Sequence, residues 1–339
     1  MAMIAACSHL YAMKNWVGTT GFNTASAAVN LTLADHGMTL GDYANTYLRM
    51  HEFTPQSSVW LHYQAYFANL NPNNNNPFIV GRSGGENVFD VVWRNGSNQK
   101  SIRLYNSGSP VEVATAAGEF DFNPRVSIDI FVDMAVSGTI DVYIDGTSVL
   151  TYSGDTTQYG FSNIDQFEWR SPGAGNDVFL VSSYTVSQVI VADEDTRNLV
   201  LHSLRVTAAG SINEWPTGNY LDVDENNSLD NGTTYMQTSD PNDRVTFGME
   251  NISGSFSTYT VEALEMWAIT HGINPAAPNY RCISRHPNTN VHQIGVQKAF
   301  STFWISGGQH CIAELNPDTS AAWTQSEIND LEMGIESLS

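Results

Sequence analysis

Lysine is almost missing from this chain: Lys14, Lys100 and Lys298 are the only three in 339 residues. The 14 basic residues, the other eleven being arginine, face 35 acidic ones, for a net charge of −21. A surface with so few clustered cations cannot neutralise phosphates, which excludes a nucleic-acid partner. Long apolar runs are also absent. None approaches the ~18 residues a membrane-crossing helix needs, so no membrane partner is expected. Cysteine is scarce and odd in number: Cys7, Cys282 and Cys311. Three thiols without C-x-x-C spacing make neither a disulfide framework nor a zinc site. Cys282 and Cys311 either pair across neighbouring strands or lie buried as thiols, as free cysteine commonly does. At the start, "MAMIAACSHLYAMKNW" has no basic residue ahead of its apolar part, so a first strand is expected there and not a secretory signal.

Alternation with period two is abundant. In "VSIDIFVDMAVSGTIDVYIDGTSVLTYSG" (Val126–Gly154), Ile128, Ile130, Val132 and Met134 share one face, with Asp129, Phe131 and Asp133 on the other. Ile140, Val142 and Ile144 line the next strand. The Asp145-Gly146 pair suits a type I′ turn, which needs positive φ at both central residues. Upstream runs at Ser57–Phe67, Pro77–Arg82, Asn87–Arg94 and Gln99–Asn106 alternate with turn clusters such as "NLNPNNNNP" and "SGGEN". Many short strands with little helical periodicity predict a β-sandwich.

The polar stretch "ADEDTRN" (Ala192–Asn198) marks a boundary, dividing the chain into domains at 1–194 and 195–339. Beyond it, further strand candidates include "LVLHSLRVT", "TTYMQT", "RVTFGM", "YTVEALEMWAIT", "NYRCISRH" and "FSTFWIS". Near the end, Thr324 and Glu327 have capping-box spacing, and Ile328 and Leu331 share a face, which predicts a short helix over Gln325–Glu332.

Two resemblances follow from these residues. The Gly138–Gly146 run resembles the central hairpins of concanavalin A-like (laminin G-type) sandwiches. The second half is similar to a segment of tailed-phage structural proteins at Arg205-Val206, Trp215, Asn219-Tyr220, Val223-Asp224-Glu225, "DNGTTY" (Asp230–Tyr235) and Phe247. The ending, with Trp323, the short helix and Gly334, is similar to their C-terminus. The fold implied is mainly β: two β-sandwich (jelly-roll or concanavalin A-like) domains with a short C-terminal helix. The resemblance implies a structural virion component of tail or tail-fibre type, made in the host cytoplasm. Its partners would be other virion proteins, copies of itself in the particle, and host surface glycan. A capsid decoration protein and a glycan-binding module are the alternatives.

Retaining glycosidases need two carboxylates ~5–5.5 Å apart. Asp129 with Asp133, and Asp141 with Asp145, share strand faces at i and i+4, a Cα separation of ~13 Å. Short aspartate side chains do not close that gap, so no enzyme is expected. "DVDENNSLD" begins like an EF-hand loop but has Asn227 where Gly is wanted and Thr233 where the bidentate Glu belongs. Asp222 and Asp224 remain candidates for a looser Ca²⁺ site. No His/Cys spacing suits a transition metal. Of the aromatics Trp60, Trp93, Tyr105, Tyr143 and Trp169, the tryptophans Trp60 and Trp93 are expected in the core. Tyr143, opposite Ile140, Val142 and Ile144, is the candidate for contact with a sugar.

Overall fold

The computed structural model describes residues 3–7, 17–19, 22–23, 38–40, 47–50, 52–68, 77–94, 99–118, 125–170, 183–197, 199, 202, 204–223, 235–252, 254–256, 259–266, 270–272, 278–286, 290–300 and 311–339. The chain forms two compact units, Met1–Leu201 and His202–Ser339. The seam falls seven residues past the Glu194/Asp195 boundary read from composition. Thr196 and Arg197 account for the offset, because both bond to residues of the first unit. Among the described residues no helix is long and apolar enough to cross a membrane.

The first unit is an antiparallel sandwich of two β-sheets. One sheet orders β13 (Thr147–Gly154), β12 (Gly138–Ile144), β11 (Arg125–Asp133), β6 (Ser58–Ala68), β15 (Ser183–Ala192), β4 (Met38–Leu40) and β3 (Phe22–Asn23), with β1 (Met3–Cys7) also on β15. The other orders β10 (Ser109–Ala117), β9 (Gln99–Asn106), β8 (Glu86–Arg94), β7 (Pro77–Ser83), β14 (Gln166–Arg170), β5 (Tyr47–Arg49) and β2 (Val17–Thr19). We call them the eight-stranded and seven-stranded sheets.

Strand alternation assigns the inner faces. Leu61, Ile128, Ile130, Val132, Ile140 and Val142 line one side of the core, and Leu48, Ile79, Phe89, Ile102 and Trp169 the other, all fully buried. Tyr63 and Trp169 meet edge to face at 5.7 Å, ring quadrupoles complementary. The turn at Asp145-Gly146 has φ of 47° and 73°, as a type I′ hairpin requires. Gly81 is fixed by packing: a Cβ there would lie 2.0 Å from the Phe89 ring.

The second unit is built on a five-stranded antiparallel sheet ordering β16 (Val206–Asn213), β17 (Arg244–Met249), β24 (Glu332–Leu338), β19 (Asn279–Arg285) and β20 (Val291–Ala299). Two ribbons complete it: β18 (Leu264–Met266) with β21 (Cys311–Ala313), and β22 (Leu315–Asn316) with β23 (Ala321–Ala322). The main core gathers Tyr280, Cys282, Ile294, Cys311, Trp323, Ile328, Leu331 and Met333. Cys282 and Cys311 are buried free thiols, and the hydrogen bond between them, with burial, pushes the Cys282 thiol far up.

The helix spans Gln325–Asn329, shorter than expected, and the chain then returns as β24 in the middle of the sheet. Its start is the expected capping box: Glu327 N–H donates to Thr324 Oγ1 at 3.2 Å, and Thr324 N–H to Glu327 Oε2 at 2.7 Å. Gly334 is what lets β24 sit there, since a Cβ would meet the Val245 carbonyl oxygen at 1.9 Å. A smaller cluster joins Met236, Val245 and Phe247 with Val206, Trp215, Tyr220 and Val223. Five of the positions that carry the tailed-phage resemblance therefore meet in one place.

Candidate functional site

On the outer side of the seven-stranded sheet, charged side chains mix with buried neutral ones such as Val80, Val92 and Ser101. Cross-strand register sets them in one row: Arg49 on β5 opposite Glu168 on β14, then Val80 on β7, Asp90 on β8, Arg103 on β9 and Glu112 on β10. At ~4.8 Å per strand the six-residue row crosses about 24 Å of sheet. Charged side chains rarely tolerate burial without partners. Here Glu168 is 1% exposed, Asp90 0%, and Arg82 and Arg103 8% each.

Two clusters hold them. Around Glu168, Arg49 donates through Nε to Oε2 at 2.6 Å, Arg170 through Nε to Oε1 at 2.5 Å, and Arg82 through Nη1 to Oε2 at 3.4 Å. Burial lowers the Arg82 guanidinium below its ordinary range; Glu168 and Glu86 pull the other way, while Arg49 and Arg170 add repulsion. Further along, Arg103 grips Asp90 with two parallel bonds of 2.7 and 2.6 Å, and the Tyr105 hydroxyl donates to the same carboxylate at 2.7 Å. Burial, then the Asp90 charge, raise Tyr105 to about 12. Tyr47 lies beneath Arg49, whose guanidinium carbon is 4.8 Å from the ring centroid. The result is a rigid polar floor whose planar groups are fixed by one another.

The eight-stranded sheet's outer face is organised differently. Trp60 and Phe131 are cross-strand partners with centroids 4.9 Å apart, and Tyr143 stacks on Trp60 at 5.8 Å. Over these rings lies Arg197, 5.4 Å from Trp60 and 4.6 Å from Tyr143, pinned by its own bond to Asp195. Beside them Asp129, fully buried, bonds His62 Nδ1 at 2.8 Å and accepts from Thr196 Oγ1 at 3.0 Å. The side chains of Thr196 and Arg197, from the segment after β15, thus lie against this face.

The sequence candidates fall as follows. Tyr143 is half-buried on that outer face, with its ring turned to Trp60 and Arg197. Trp60, expected in the core, has the outward parity of Phe131, while Val59 and Leu61 take the inward positions. Trp169 is core, Tyr105 is buried on the charged face, and the Trp93 side chain lies outside the described residues. Asp222 caps a short 3₁₀ turn, accepting from Asn219 N–H at 2.7 Å. Asp224 lies outside the described residues. Among the described residues no group of three or more His, Cys, Asp or Glu could hold a metal ion. Asp145 serves its turn, accepting from Ser127 N–H at 2.8 Å.

Neither a scan of protein-family models nor a search of curated proteins returned a match. Among solved structures, alginate lyase Aly36B is similar at 10% identity and a TM-score of 0.35, covering 56% of this chain and 97% of that one. The Emp47p carbohydrate recognition domain is 12% identical (TM-score 0.38; 55% and 93% covered). The T. cruzi calreticulin globular domain is 10% identical (TM-score 0.41; 57% and 90%). Likeness at this level carries no argument about what this chain binds or does.

Proposed function

We propose that the chain is a non-catalytic saccharide-binding protein whose first unit is the binding module. The observation that carries this is the floor of the seven-stranded sheet. Sugar hydroxyls are recognised by planar polar groups held in place before binding, and preorganisation lowers the entropic cost of association. Arg49, Arg82, Arg170 and Tyr47 supply such groups on strands and not on loops. The two buried carboxylates of the face, Glu168 and Asp90, direct their oxygens to guanidinium and phenol donors. That engagement favours binding over acid–base chemistry. The test is retention of the full chain on immobilised bacterial surface polysaccharides. Saturable retention, weakened about tenfold by Tyr47→Ala, is expected; no retention on any polysaccharide rejects the proposal.

A second reading places this module on a tailed-phage particle. It is supported by the convergence of Val206, Trp215, Tyr220, Val223 and Phe247, positions of the tailed-phage resemblance, in one cluster. Such a grouping is what a resemblance of a folded unit should produce. Mass spectrometry of purified particles is expected to detect the chain at tail stoichiometry. A copy number near that of the capsid protein would favour decoration, and absence from particles would remove the virion setting altogether.

A further inference from the structure

Building on the saccharide-binding reading, we infer that the seven-stranded face takes a carboxylate-bearing saccharide, one sugar carboxylate docking on Arg49, Arg82 and Arg170. Three guanidiniums surround Glu168, and the other carboxylate acting on Arg82, that of Glu86, sits exposed at the β7–β8 turn. Positive charge is left over around Glu168, in a chain whose net charge is −21. Four of its eleven arginines (Arg49, Arg82, Arg103 and Arg170) share this sheet face.

The donor count points the same way. A carboxylate offers about four acceptor sites, and each guanidinium carries five N–H donors. Glu168 cannot satisfy three of them. Arg82 spends further donors on Asn87 Oδ1 at 2.5 Å and the Gly85 carbonyl, yet its Nε is buried without a partner. The Arg49 and Arg170 side chains stay 22% and 30% exposed, so their remaining donors are reachable from solvent. The guanidinium fork matches a planar carboxylate in two parallel bonds, which makes arginine the suited residue for it. The polar row continues beyond this cluster to Asp90, Arg103 and Tyr105.

The experiment titrates the full-length protein calorimetrically with galacturonic acid oligomers, their methyl esters, neutral dextran and dextran sulfate. The acid and ester share one backbone and differ only at the carboxyl group, charged in one and methylated and neutral in the other, so this comparison needs no variant. The acid is expected to bind at least tenfold more tightly than the ester and to weaken as salt rises. Arg170→Gln should lose about tenfold, while Arg205→Gln in the second unit should not change affinity. Equal binding of acid and ester, or binding confined to dextran sulfate, overturns the carboxylate assignment and leaves saccharide binding standing. Binding of none of the four overturns both.

Discussion

The two outer faces of the first unit solve the same problem in opposite ways. Each carries a fully buried acid on a central strand, Asp129 on β11 and Asp90 on β8, and each must satisfy it. The eight-stranded face does so with His62 across the strand and Thr196 from the segment leaving β15. Arg197 then lies over Trp60 and Tyr143, and the aromatic surface is occupied. The seven-stranded face uses arginine, and around Glu168 it uses more than one acid can balance. A polar sheet face covered by its own chain stabilises the fold. The one with surplus guanidinium donors around Glu168 is the face we propose for the saccharide.

Replacing the central acids should separate the two cases most sharply. Glu168→Gln removes the counter-charge of three arginines, and breaking a partly buried pair of this kind costs about 3 kcal/mol. The loss should be visible as a lowered urea midpoint. Because the surplus guanidiniums then form an anion site, added sulfate should restore much of it, beyond its effect on the unsubstituted protein. If sulfate gives no such recovery, the charge surplus is illusory.

Asp129→Ala should cost somewhat less, about 2 kcal/mol, by leaving His62 Nδ1 and the Thr196 hydroxyl buried without a partner. Sulfate should not rescue it, because no excess of cations faces the vacancy. A rescue equal to that of Glu168→Gln would erase the distinction between the faces.

Much of the framework was legible in the sequence, and most of the site was not. Alternation placed β11 and β12 to within a residue, "RVTFGM" is β17, and Asp145-Gly146 turns as its residue types demand. Thr324 and Glu327 announced the helix start because a cap is a local interaction. Strand β10 escaped because "SPVEVATAA" opens on Ser-Pro and lies largely exposed at a sheet edge. Strand β24 was masked by its closeness to the helix; its centrality depends on Gly334 meeting a distant strand. The arginine cluster could not be read at all. Arg49 and Glu168 stand 119 residues apart and become neighbours only through strand order. Tyr143 was recognised as outward-facing, but nothing local could reveal that Arg197 from beyond the sandwich would lie against it.

The smallest effect, and the finest test of that contact, belongs to Arg197→Ala. Its cation–π contacts are at a partly exposed site, so about 1 kcal/mol of stability should be lost. A local readout is sharper: with the latch gone, the 193–199 segment should open more often, and a glutamate-specific protease should cut after Glu194 faster. The Arg197 side-chain bond holds the Asp195 carboxyl below its usual range. A depressed folded value means the contribution is present above the unfolded pKa and is lost as pH falls through the folded one. The stability gap between Arg197→Ala and the parent protein should therefore narrow in acid below the ordinary aspartate range. A gap that widens there, or unchanged cleavage at Glu194, would mean that Arg197 does not fasten the segment and that the aromatic face is open after all.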